Sequence, residues 1–280
     1  MGFIADQIAP TVQVPKQSDS FYVWNIADVH RVIDDYRAPG REALKMTRSM
    51  SSDTFFCKNY ALKDVIPYED IVNADAPEIF TARQARAESI LDQLYLNWEF
   101  RVATQVTNTS NVGSSTTVAS GWQDGANSDI IGDIDTGIDN VAGLTGIKPN
   151  SVIFGKNAWK SVKRHDDIIN AVFGHSAVGQ ARVPGAEGIK ALFDLERVLV
   201  GGTYYNTLDE NQEASLSSLW DDMCLLYYAP ITARKDKPSF MYSFDWNKVK
   251  GFNRQAQVFD RPRNGAEEVQ IGYYQDEKIT

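Results

Sequence analysis

Cysteine is scarce in this chain: 280 residues contain only Cys57 and Cys224. They lie far apart with no metal-ligand spacing, which supports no zinc site and predicts reduced, mostly buried thiols of a reducing compartment. Histidine is also sparse. His30, His165 and His175 form no helical ligand pair of the His-Glu-x-x-His kind, so each reads as a surface or capping residue, and neither a metal nor a cofactor is expected. Basic charge is not in excess: 28 Lys and Arg against 37 Asp and Glu give a formal net charge of −9. That balance argues against a surface built to neutralise nucleic-acid phosphates. No apolar run approaches membrane-spanning length. The opening Met1–Pro10 lacks the basic-then-apolar order of a signal peptide, and Asp6 stands where a myristoylation motif needs Ser or Thr, so a soluble protein is expected.

The chain has enough apolar material, 43%, to bury one large core or two smaller ones. Its first twenty or so residues carry Pro10 and Pro15 with no helical or strand period, which predicts an extended arm that needs a partner surface. From Phe21 to about Ile66 a long stretch has a turn in its middle, Arg37-Ala38-Pro39-Gly40, where proline fixes one backbone angle and glycine frees the next. This reads as the tip of a projecting hairpin, with Leu44, Met46 and Met50 on one face of a returning strand. The clearest helix starts at Thr81, whose pairing with Gln84 fits a capping box. Ala87, Leu91, Leu94, Trp98, Val102 and Val106 then form one apolar stripe reaching about Asn108. Asn108 to Gly121 is small and polar and predicts a connector.

Beyond it, Ser128 is placed to cap a helix with Ile130, Ile134, Ile138 and Val141 on one face and Asp129 and Asp133 near its positive end. Gly143 and Gly146 help to stop it. A strand over Val152–Phe154 then meets Gly155, a helix capped by Asn157 with Trp159 and Val162 inward, a glycine-rich loop from Gly174 to Gly188, a short helix near Ile189–Phe193 and a strand Arg197–Val200. The alternation predicts an α/β unit. In the last third, Met223–Tyr228, the alternating Phe240, Tyr242, Phe244 and Trp246, and Val269, Ile271 and Tyr273 predict antiparallel strands with one buried face.

Several stretches imitate catalytic motifs and fail on spacing. Gly155-Lys156 suggests a phosphate loop, but Asn150 replaces the first glycine and Asn157 the hydroxyl residue that would hold magnesium. Asp133, Asp135 and Asp139 suggest a calcium loop, yet glycine arrives one position early and Leu144 replaces the bidentate glutamate. Gly174 to Gly179 misses a nucleophile elbow by one residue, and no apolar strand precedes it. Arg31, Arg37, Arg41, Lys45 and Arg48 could bind phosphate, but Asp34, Asp35 and Glu42 are interleaved with them, a mixture that suits salt bridges between subunits better.

Trp122, then Ser128-Asp129-Ile-Ile-Gly-Asp133-Ile, Gly146-Ile-Lys-Pro149-Asn150-Ser-Val-Ile-Phe-Gly155 and Trp159 with Arg164-His165-Asp166, resembles the axial-domain signature of tailed-bacteriophage major capsid proteins of the lambda-like branch. Phe55-Phe56-Cys57-Lys58-Asn59-Tyr60-Ala61-Leu62 resembles the strand returning from their extended loop, and the helix from Thr81 their spine helix. Leu192-Phe193-Asp194, Val198 to Gly202 and Tyr227-Tyr228-Ala229-Pro230 continue the likeness in order, so that it covers nearly the whole chain. These are packing and turn signatures rather than catalytic residues; their ordered combination gives the likeness its specificity.

The resemblance implies the α+β Hong Kong 97-type capsid fold: an N-terminal arm over 1–25, an extended loop over 26–66, a peripheral domain over 67–127 and 232–280 with its spine helix at about 81–108, and an axial domain over 128–231. It implies a structural protein and no enzyme, one that self-assembles as hexamers and pentamers into the head shell around double-stranded DNA. Scaffolding, portal and decoration proteins are possible partners, with no membrane, no sequence-specific DNA binding, synthesis in the host cytoplasm and a final place in the virion. The chain has no large N-terminal scaffolding segment, so a separate or cleaved scaffold is implied. Assembly contacts are expected at Arg31, Arg37, Pro39, Gly40, Arg41, Lys45 and Arg48, and Lys45 and Lys58 are conceivable donors for the lysine–asparagine crosslink that some members form. Two alternatives stay open: an encapsulin-type shell that stores cargo enzymes, and a nucleotide-binding α/β enzyme resting on Gly155-Lys156 alone.

Overall fold

In a computed structural model the chain is described over residues 2–24, 30–43, 45, 50–73, 76–118, 121–125, 127–174, 182–208, 212–234, 237–261 and 265–280. The organising element is a helix, α3, over Ala76–Thr107, preceded by α1 (Ala5–Ile8) and α2 (Tyr68–Asn73). At 1.5 Å per residue its 32 residues extend about 48 Å. The helix starts five residues before Thr81, so Thr81-Gln84 is no cap; the Gln84 amide instead donates to Glu88 one turn on. The apolar stripe lies where its period puts it. Leu94, Trp98, Val102 and Val106 are buried, and Ala87 and Leu91 are partly covered.

Two sheets share this helix. The larger is built from β1 (Thr11–Gln13), β4 (Lys58–Pro67), β10 (Met241–Asp245), β11 (Gln257–Arg261) and the long β12 (Ala266–Ile279). Its path runs β1-β10-β12-β11, with β4 on the other side of β12. Val269, Ile271 and Tyr273 alternate toward the helix and meet Ile90 and Leu94 from its first half. The smaller sheet, β6-β5-β9, joins Ser151–Gly155 (β5) in parallel to Arg197–Gly201 (β6) and antiparallel to Cys224–Tyr227 (β9). Every residue of β5 is buried because both faces are covered. Ile153 points to the second half of α3 with Val102 and Val106; Val152 and Phe154 point to Ile130, Ile134 and Ile138 of α4 (Ile130–Thr145) and to α5 (Lys156–Val162), α6 (Asp166–Phe173) and α7 (Ala186–Leu192). Each such large apolar side chain contributes roughly 1.5–3 kcal/mol on burial.

Several local expectations shift. The N-terminal segment does not wait for a partner: Ile4, Ala5, Ile8 and Ala9 are buried against Trp98, Val102 and Val106, and β1 adds to β10 in parallel. Its apolar residues find a surface on the chain's own helix, a match invisible to local periodicity. The α4 cap is Asp129, accepting from the Gly132 amide at 2.9 Å, because the Ser128 hydroxyl is turned to the Asp124 carbonyl. Gly146 ends α4 at φ +67 with its N–H on the Ala142 carbonyl. Asn157 does not cap α5; Gly155 holds that position, and the Asn157 amide donates to Asp221. Trp159 sits half-buried at the margin of the core, 5.7 Å from Phe154, while Val162 is fully inside. Strand β10 is buried on both faces rather than one: Tyr242 and Phe244 join Phe21 and Phe55, and Met241 faces the spine-helix cluster. Helix α6 and the hairpin of β7 (Tyr204–Asn206) with β8 (Leu216–Ser218) were not foreseen, being too short for a clear period.

Candidate assembly surface

The expected projecting hairpin rests on β2 (Ser18–Trp24) and β3 (Met50–Phe56), paired antiparallel with Ser18 opposite Phe56 and Trp24 opposite Met50. That register puts residue 37 at the centre of the intervening segment, which is where the turn falls. The Arg41 amide donates to the Ala38 carbonyl at 3.2 Å, Gly40 takes φ +82, and the Arg37 guanidinium donates to the Arg41 carbonyl. Glycine is required there because a side chain at this φ is strained. The base is fixed by aromatic packing: Phe55 stacks on Phe244 at 4.4 Å, and Phe21 lies 5.2 Å from the same ring. Arg31, Arg37, Pro39, Gly40, Arg41 and Lys45 are all exposed, and none of the charged ones forms an ion pair with another described residue. Arg48, Leu44 and Met46 lie outside the described residues, as does His175 with residues 176–181 of the glycine-rich loop.

The same segment exposes apolar groups. Val32 is 96% and Tyr36 76% exposed. Elsewhere Ile231 is 90% exposed, and Phe100, whose ring meets Tyr205 edge-on at 5.3 Å, lies open between α3 and the β7–β8 hairpin. Single exposed apolar residues are ordinary, but a hairpin tip carrying several with no intramolecular cover is a surface that a partner can bury.

The motif fragments that suggested chemistry are occupied by structure. A Cβ on Gly155 would stand 1.5 Å from the Asp221 carbonyl oxygen, and the amides of Gly155 and Lys156 donate to Met223 and Trp220 carbonyls. Those two amides are therefore not free to cradle a phosphate. Lys156 is exposed and meets the hydroxyl and ring of Tyr204. Asp133, Asp135 and Asp139 lie on α4 rather than on a loop, with Asp133 accepting from the Trp122 indole at 2.9 Å. Gly137 is there because Leu226 of β9 comes within 2.6 Å of where a Cβ would be.

Ser128, His165 and Asp167 do converge, with Ser128 Oγ 3.1 Å from His165 Nε2. The hydrogen bonds run the wrong way for a nucleophile. The Asp167 amide donates to His165 Nδ1 at 3.3 Å, which assigns the ring proton to Nε2, and the Ser128 hydroxyl spends its own proton on the Asp124 carbonyl at 2.7 Å. A general base must accept from the serine; this histidine donates to it. His165 is a buried capping residue at the start of α6.

Two polar clusters were missed from sequence, and both lock α3. Glu99, fully buried, accepts from the Ala5 amide at 2.7 Å, the Ile4 amide at 3.0 Å and the Trp220 indole at 2.7 Å, with the Thr203 hydroxyl at 3.5 Å. Burial raises its carboxyl above the ordinary value, and the donors from Trp220, Ala5 and Ile4 offset part of that. One carboxylate thus joins the N-terminus, the spine helix and the small sheet's neighbourhood. The second cluster centres on Arg101, which pairs with Glu277 at 2.8 Å and lies 3.8 Å over the Tyr60 ring. Arg254, at φ +62, holds Asp245 at 3.0 Å and stacks toward Tyr273 at 4.8 Å. The available signal for Glu99 was a carboxylate standing four residues after Tyr95 and three before Val102, on the inward face of the stripe.

A search of known protein-family models finds no match. The chain is similar to the major capsid protein of Pseudomonas phage JBD67, 23% identical over 283 residues that span 99% of this chain and 88% of that protein. Among solved structures it resembles a phage-related protein of Bordetella bronchiseptica RB50, with a TM-score of 0.72 at 17% identity over 99% of this chain and 88% of the other. It also resembles a chain of the mature capsid of bacteriophage PhiM1, with a TM-score of 0.57 at 10% identity over 100% and 84% of the two chains. The helix-spined pair of sheets is the Hong Kong 97-type capsid fold, and over nearly its whole length the chain is similar to a phage major capsid protein.

Proposed function

We propose that the chain is the major capsid protein of a tailed bacteriophage, a structural subunit without catalytic activity that self-assembles into the icosahedral shell around double-stranded DNA. The observation that carries this reading is a likeness over 99% of the chain to a phage major capsid protein, together with a hairpin tip whose described residues are exposed. The residues Arg31, Arg37, Pro39, Gly40, Arg41, Lys45 and Arg48 serve as contacts between subunits, their charges meeting opposite charges on neighbouring copies. In domain terms, 26–66 is the extended loop, 67–127 with 232–280 the peripheral domain and 128–231 the axial domain. Scaffolding, portal and decoration proteins are the further partners, and the virion is its place after synthesis in the host cytoplasm. The net charge of −9 suits a container that holds DNA without gripping it. Electron microscopy and sedimentation of the expressed chain test the reading. Closed particles, hexamers or pentamers with no salt-sensitive DNA binding are expected; stable monomers under every assembly condition would refute it.

A further inference from the structure

Lys156, Lys160 and Arg164 are spaced four residues apart at α5 and the turn after it, and all three are exposed. In a chain of net charge −9 this is a concentrated basic stripe, and none of the three forms an ion pair with a described residue. Acidic groups stand at its ends: Asp221 accepts from Asn157 at the first turn, and Asp166 and Asp167 follow Arg164 at the start of α6. Helix α4 presents the opposite charge. Its exposed Asp135 and Asp139 are also four residues apart, a like-charged pair that destabilises a helix unless a cation faces it, and α4 contains no basic residue.

The two faces lie toward opposite edges of one sheet. Its order is β6-β5-β9; α4 packs against β9, whereas α5 packs against β5 and β6. Each copy therefore carries a basic face nearer one edge of this sheet and an acidic face nearer the other, and no ion pair among the described residues joins the two within the chain. A contact joining unlike faces of successive copies is head-to-tail, and where its rotation closes it forms a ring.

We infer that Lys160 and Arg164, with Lys156 beside them, form the contact for Asp135 and Asp139 of a second copy of this chain, and that this charge pairing sets the ring contact of the axial unit. The inference rests on the capsid reading. Two charge reversals, K160E/R164E and D135K/D139K, and a third chain carrying all four changes would be assayed by sedimentation and electron microscopy, with circular dichroism as the folding control. Each reversal alone is expected to leave folded monomers and to cut particle yield at least tenfold; the fourfold variant is expected to restore particles, with a yield that falls as salt screens the contact. Particle yields unchanged by either single reversal, or a folded fourfold variant that stays monomeric, would overturn the inference. Failure of the unaltered chain to assemble would instead overturn the capsid reading itself. Should a reversal impair folding, the neutral K160Q/R164Q and D135N/D139N pairs carry the same test with a smaller expected loss.

Discussion

Replacing Glu99 by Gln changes one atom of a fully buried side chain and asks what the carboxylate does. In the parent chain one oxygen accepts from the Trp220 indole at 2.7 Å and the other from the Ala5 amide at 2.7 Å and the Ile4 amide at 3.0 Å. A glutamine offers one acceptor. If its oxygen faces Trp220, its amino group opposes two backbone donors; if it is flipped, the amino group opposes the indole. Either orientation leaves at least one buried donor unpaired, at about 1–3 kcal/mol each, so a loss of about 2–4 kcal/mol is expected. Urea unfolding followed by tryptophan fluorescence measures it directly, Trp220 being part of the cluster.

The pH dependence of that loss has a defined sign. Burial raises the folded-state pKa of Glu99 above the unfolded value, so folding takes up a proton. The stability this linkage contributes is fully present below the unfolded carboxylate range and is lost as pH rises through the folded value. Glutamine has no such proton. The stability gap between the parent chain and Glu99→Gln is therefore expected to be widest at low pH and to narrow on raising it. A loss below about 0.5 kcal/mol, or a gap that widens with pH, would refute the assignment of Glu99 as the buried junction.

Gly155→Ala places a methyl 1.5 Å from the Asp221 carbonyl oxygen, so the turn must break; a loss above roughly 3 kcal/mol in the same unfolding assay is expected, and a near-neutral change would show that the turn has room. Cys57 is fully buried, and burial, followed by the charges of Asp276 and Asp245, pushes its thiol up to about 12. At pH 8 it is expected to resist a thiol-reactive dye in the folded chain and to label fully in denaturant, as read by mass spectrometry of the Cys57 peptide. Rapid native labelling would place it at the surface.

The elements legible in the sequence were those whose signal is local. The Leu94-Trp98-Val102-Val106 stripe specifies its helix face because burial repeats every three or four residues, and Pro39-Gly40 specifies a turn because only glycine accepts φ +82 without strain. The gaps in the phosphate and calcium motifs excluded those readings for an equally local reason. Helix ends were less legible: Thr81 and Ser128 carry capping chemistry, but neither is a cap, since the hydrogen bonds of surrounding residues decide which hydroxyl is free to do it.

By itself, then, the sequence determined the spine helix, the hairpin tip, the apolar strands, the acidic balance and, through ordered turn and packing residues, the likeness to capsid proteins. Tertiary structure alone decided that the N-terminal segment belongs to the chain's own core and that Glu99 joins Ile4, Ala5 and Trp220, partners 94 to 121 positions away. It alone decided as well that His165, which Ser128 meets, is a cap and that the basic and acidic stripes lie toward opposite edges of one sheet. The physical reason is range. A periodic pattern records which side of an element avoids water, whereas a buried polar contact depends on what the fold brings to that side.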